Sequence, residues 1–144
     1  MEVAEIKISY STSSRKKVKI KDSNDVYQII LEKWNQDLIE LQEEVKLVLL
    51  NRANVVLGTF ELSKGGTSGT IVDIKLILSV ALKCNAHSIV LCHNHPSGNL
   101  KPSKADISIT AKLKQACGYL DINLLDHLII TKNKYYSFTD EEML

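Results

Sequence analysis

The sequence predicts an α/β domain in which helices flank a mixed β-sheet, and three observations carry that prediction. Stretches with apolar residues at helical spacing interleave with short stretches of alternating or continuous apolar residues, the order that builds helices packed against a sheet. One short stretch, Ser88-Ile89-Val90-Leu91-Cys92, is nearly all apolar, the mark of a strand covered on both faces. Two further strand pairs are joined by short turns, at Asn51-Arg52-Ala53-Asn54 and around Lys132-Asn133. At 144 residues, with 44% hydrophobic residues, the chain is most simply one domain with a core of its own.

The elements follow in order. Ile6, Ile8 and Tyr10 alternate, as do Val18 and Ile20, with a Ser/Thr/Arg/Lys turn between them. Residues 1–22 therefore read as a strand-rich basic arm ahead of a main domain over 23–144. Ser23 or Asn24 can cap a helix whose apolar stripe is Val26, Ile29, Ile30 and Trp34, with Leu38 and Leu41 as an extension. Residues 45–50 and 55–60 are strands of a hairpin, followed by the Gly-rich loop Ser63-Lys64-Gly65-Gly66-Thr67-Ser68-Gly69-Thr70. Asp73 opens a second helix along Ile74, Ile77, Leu78, Ala81 and Leu82. The 88–92 strand comes next. Ser103 starts a third helix with Gly118 placed as its C-terminal stop. Residues 124–131 and 134–138 form the last strand pair.

Charge and cysteine content narrow the function. The net charge is +1, which gives no global case for nucleic-acid binding. The arm is basic, through Lys7, Arg15, Lys16, Lys17, Lys19 and Lys21, while residues 25–60 are acidic on balance. The arm could touch phosphate, but a solvated hairpin tip is the favoured reading. There is no secretory leader near Met1 and no apolar run long enough to span a bilayer. Three cysteines without C-x-x-C spacing point to buried thiols in a reducing compartment, hence a cytoplasmic protein.

The chemistry concentrates in His93-Asn94-His95-Pro96-Ser97-Gly98-Asn99-Leu100-Lys101-Pro102-Ser103-Lys104-Ala105-Asp106. Side chains at i and i+2 of an extended segment share a face, so His93 and His95 can converge. The loop can then return Asp106 to them. Two imidazoles and a carboxylate leave one coordination position free, the arrangement of a catalytic rather than a structural zinc site. Cys92, as the strand neighbour of His93, should face away. Ser103 and Asp106 also fit a Ser-x-x-Asp variant of the capping box, a role compatible with the site.

His93-x-His95-Pro96 followed by Pro102-Ser103-x-x-Asp106 resembles the JAMM motif of JAB/MPN metalloproteins. Within that superfamily, His93-Asn94-His95-Pro96-Ser97-Gly98, Asn51-Arg52-Ala53-Asn54, Ser63-Lys64-Gly65-Gly66 and Leu125-Asp126-His127 resemble the RadC group, over roughly residues 25–144. The resemblance implies a three-layer, cytidine-deaminase-like fold and zinc-dependent hydrolysis of a peptide or isopeptide bond. His93, His95 and Asp106 would hold Zn²⁺. A glutamate at the start of an earlier strand would be the general base; Glu44 is favoured, with Glu43 as its neighbour on the opposite face. The Ser103 hydroxyl would hydrogen-bond the developing oxyanion. Longer RadC proteins carry an N-terminal helix-hairpin-helix region where this chain shows its short arm.

Other readings remain beside this one. His127 next to Asp126 reads as a strand-end structural pair or a second polar pair in the cleft. His87 reads as exposed, Trp34 as core, and the glycines at 65, 66 and 69 match neither a P-loop nor a dinucleotide fingerprint. The basic arm and the RadC name motivate a DNA-associated accessory role, the ligand set permits a 2-His-1-carboxylate iron site, and a non-catalytic scaffold is a further reading. The partner implied is a peptide or protein substrate. The arm could also add strands to a sheet edge in a homo-oligomer.

Overall fold

The computed structural model describes residues 1–11, 16–65 and 71–144. Its elements run α1 (Ser23–Leu31), β1 (Glu44–Leu50), β2 (Val56–Lys64), α2 (Ile74–Lys83), β3 (Ser88–Asn94), α3 (Lys104–Tyr119), β4 (Asn123–Ile130) and β5 (Tyr135–Ser137). The five strands form one sheet in the order β2-β1-β3-β4-β5. Only the β3–β4 pairing is parallel; the other three are antiparallel. The α/β class with a mixed sheet flanked by helices is therefore the observed one.

Alternation along the central strands sorts the core into two layers. Val48 and Leu50 of β1, Val90 and Cys92 of β3, and Leu128 and Ile130 of β4 face α1 together with Trp34 and Ile39. Val45, Leu47 and Leu49, with Ile89, Leu91 and Leu124, face α2 and α3 through Ile77, Ala81, Leu113 and Cys117. One helix thus covers one face of the sheet and two cover the other. Every residue of β3 is buried, as its continuous apolar run predicts, and so is every residue of β1. Cys92 faces the α1 layer, away from His93, and both Cys92 and Cys117 are buried.

Four details of the sequence reading are corrected. Residues 1–11 form no strand; the single β contact of the arm among the described residues is the bridge Lys19–Val55. Ile6 and Ile8 are 88% and 77% exposed, so their alternation has no apolar layer to pack on. The turn residues 12–15, Arg15 included, and residues 66–70 of the Gly-rich loop lie outside the described residues. The cap of α1 is Asp22, whose side chain accepts from the Asp25 N–H, rather than Ser23 or Asn24. That helix ends at Leu31 without an extension through Leu38 and Leu41. A series of turns follows, in which Asn35 Oδ1 accepts from Asp37 N–H. Trp34 and Ile39 are buried there and Leu41 is 66% exposed. Finally, Gly118 lies inside α3. The chain leaves the helix at Leu120 and turns through Asp121, whose φ of 55° lies in the left-handed region.

The two hairpin turns form where expected. Asn51 Oδ1 accepts from the N–H of Ala53 and of Val55, closing the turn into β2, which runs on to Lys64. At the other turn, Thr131 Oγ1 accepts from Lys134 N–H. No helix among the described residues is long and apolar enough to cross a membrane.

Candidate metal centre

The site forms where β3 ends. His93 is the last-but-one residue of that strand, opposite Val45 of β1 on one side and Ile129 of β4 on the other. Its ring therefore leaves the sheet on the α2/α3 face, beside the N-terminus of α3. His95 follows on the same side and Asn94 on the other, as alternation requires.

The loop from His95 to Lys101 is folded on itself. Gly98 N–H bonds to His95 O, and its φ of 81° needs a glycine. Asn99 Oδ1 accepts from Lys101 N–H. At the end of the loop Ser103 caps α3. Its hydroxyl accepts from Asp106 N–H at 3.0 Å, and Ser103 N–H donates to Asp106 Oδ2 at 2.8 Å. This reciprocal capping box sets both the start of the helix and the orientation of the carboxylate.

His93, His95 and Asp106 come together as a group whose ligating atoms all lie within 4.8 Å of one another. His93 Nε2 is 2.9 Å from His95 Nε2 and 3.3 Å from Asp106 Oδ1. His95 Nε2 is 3.2 Å from Asp106 Oδ2. The chemistry of this set fits a cation. His95 Nδ1 lies 2.6 Å from the Asn99 carbonyl, which can only accept, so that nitrogen carries the proton. In the neutral ring Nε2 is then a bare lone pair facing a carboxylate oxygen. Two acceptors at that distance need a metal ion or a proton between them.

The electrostatics agree. The Asp106 hydrogen bond raises the pKa of His95 against the opposing effect of burial, and Glu43 adds to the rise. Burial works against the Asp106 charge, yet the His93 and His95 rings hold its carboxyl well below the usual carboxylate range. Asp106 therefore stays anionic, as a ligand must.

Glu44 is not in this group. It shares a strand face with Lys46, and its carboxylate lies 3.9 Å from Lys46 Nζ and 3.6 Å from Lys64 Nζ. Lys46 in turn sits 5.0 Å over the Trp34 ring, on the α1 side of the sheet. Glu43 has the parity of Val45, the strand partner of His93, and is half-buried. Its influence on His95 places it on the side of the triad.

Of two further residues beside the triad, Asn94 has no role in the sequence reading, and His127 reads there as part of a structural pair or of a polar pair in the cleft. Asn94 is fully buried: its Oδ1 accepts from Glu44 N–H, and its Nδ2 donates to the carbonyls of Ile39 and Gln42. It ties the turns before β1 to the end of β3 and so fixes where Glu43 enters the strand. The other is His127 of β4, 1% exposed, whose Nε2 is 2.7 Å from His93 Nδ1. Burial, then the nearby His93, push its pKa well below the ordinary value. Asp126 is the structural member of the Asp-His pair. It accepts from Ser137, Thr139 and the His127 backbone and ties β4 to the chain after β5. His87 is exposed.

A cavity of about 290 Å³ opens beside His95, between Pro96-Ser97-Gly98 and the turn at Thr131–Lys134.

The model of the RadC-like JAB domain matches residues 20–143. A UPF0758 protein of Flavobacterium johnsoniae is 50% identical over 125 residues, covering 85% of this chain and 52% of the relative. One from Clostridium perfringens is 38% identical over 136 residues, covering 94% and 58%. The chain spans about half the length of these relatives.

Proposed function

The chain belongs to the RadC-like JAB family, and on that footing we propose that it is a zinc-dependent hydrolase of the JAMM type, cleaving an amide bond in a peptide or protein. The observation that carries the proposal is the convergence of two imidazole nitrogens and an anionic carboxylate at one point, with the Glu43 charge acting on His95. His93 Nε2, His95 Nε2 and an Asp106 oxygen would hold the ion. When bound there, zinc supplies a Lewis acid and lowers the pKa of water in its open position to about 7.

The chain's own residues then divide the work. The general base must take a proton from water and return it to the leaving amine. Glu43 fits that task better than Glu44, because Glu44 is committed to two lysines on the far face. Ser103 Oγ accepts the capping hydrogen bond, so its own hydrogen remains to donate to an oxyanion. The cavity beside His95 offers room for the substrate chain on one side of the scissile bond.

The test is hydrolysis of peptide and isopeptide substrates by zinc-loaded protein, beside Glu43→Gln. The proposal expects turnover that needs zinc and vanishes in the variant while the metal stays bound. A substrate cleaved equally well by metal-free protein would overturn it.

A further inference from the structure

We infer that His127 and Thr110 are positioning residues that lock His93 in the tautomer able to bind a metal, an inference that rests on the metal-site reading above. The warrant is the direction of a three-bond chain buried between β3, β4 and α3. Thr110 Oγ1 lies 2.6 Å from the Asp106 carbonyl oxygen, one turn back along α3. Two oxygens so close repel unless a hydrogen lies between them, and a carbonyl has none to give. The Thr110 hydroxyl therefore donates there and has only lone pairs for its second neighbour. That neighbour is His127 Nδ1, at 2.6 Å.

The rest is forced. His127 Nδ1 must carry the proton that Thr110 accepts. His127 sits fully buried with its ring stacked on Phe138, centroids 4.6 Å apart and planes 9° from parallel. A neutral ring protonated on Nδ1 has a bare Nε2, which accepts from His93 Nδ1–H at 2.7 Å. His93 Nε2 is then a bare lone pair at the triad. The Asn99 carbonyl does the same for His95 in one step, and Ser103 N–H orients Asp106. All three ligands are held from behind, but only the His93 arrangement depends on side chains that the capping motif does not contain.

The chain also links the two ends of α3's first turns to the site. Asp106 contributes its carboxylate to the triad and its carbonyl as the acceptor that ends the His127 chain. A shift of the helix would therefore disturb two ligands together.

The experiment has two readouts, neither of them activity. Imidazole ¹H–¹⁵N long-range spectra of the native protein, with and without zinc, report the tautomers directly. The inference expects His127 protonated on Nδ1 in both states; His127 protonated on Nε2 in the zinc-loaded protein would overturn it. Zinc affinity by chelator competition is compared among wild type, Thr110→Val and Thr110→Ser. The expected loss is roughly 10-fold or more in Thr110→Val, in the range seen when such outer partners are removed, with recovery in Thr110→Ser. Unchanged affinity in a folded Thr110→Val overturns the relay alone. Wild-type protein that takes up no zinc overturns instead the metal-site reading on which it rests.

Discussion

Val45 of β1 stands directly opposite His93 of β3 in the antiparallel pairing, and this register favours Glu43 over Glu44 as the proposed general base. Alternation carries the face of Val45 back to Glu43 and turns Glu44 away with Lys46. We therefore expect Glu43→Gln to abolish turnover of any substrate the wild type cleaves, with zinc content unchanged. Loss of zinc in that variant would make Glu43 a ligand rather than a base.

Glu44→Gln should behave differently. The Glu44 carboxylate is buried between Lys46 and Lys64, and one of its oxygens has no hydrogen-bond partner. Removing its charge leaves the buried Lys46 with Glu61, at 3.8 Å, as its one carboxylate partner among the described residues. Turnover should persist, while denaturant unfolding should show a loss of about 1–3 kcal/mol. A stable but inactive variant would restore Glu44 as the base.

Ser103→Ala separates the cap from catalysis. The hydroxyl is lost as the N-cap of α3, at a cost of about 1 kcal/mol. The Ser103 N–H still holds Asp106 Oδ2, so zinc affinity should change little. If the hydroxyl also meets the oxyanion, kcat should fall roughly 100-fold or more. A fall in stability with kcat intact would leave Ser103 a cap alone.

The pH dependence of metal binding follows from His95. Its hydrogen bond to Asp106, against burial, raises its pKa above 6.5. In metal-free protein the protonated pair contributes stability that is fully present below the unfolded value of about 6.5. That stability is lost as pH rises through the higher folded value. Zinc needs the neutral ring, so its affinity should rise with pH through the same window and then level. Chelator competition between about pH 5.5 and 8 measures this. A flat profile would remove His95 from the ligand set.

What the sequence made legible is what local spacing encodes. The i, i+2 histidines, the Ser103-x-x-Asp106 cap and the apolar run of β3 lie within short windows, and the structure assembles them as their spacing implies. The choice between Glu43 and Glu44 depends on a partner strand some fifty residues away, and two adjacent glutamates look alike in one chain. His127 reaches His93 across 34 residues through a pairing shifted by a bulge at Ile89/Val90. Its neighbour Asp126 is engaged by Ser137 and Thr139 and is the structural half of the pair. The expected α1 extension failed because Trp34 and Ile39 reach the core from turns rather than from a helix face, and apolar spacing alone cannot separate the two.

His93, His95 and Asp106 are proposed to hold a metal ion. The most direct test is elemental analysis of protein purified without added metal or a histidine tag, beside the His93→Ala/His95→Ala variant. Close to one zinc per wild-type chain is expected, and none in the variant. No metal in the wild type, even after zinc is offered, would contradict the proposal.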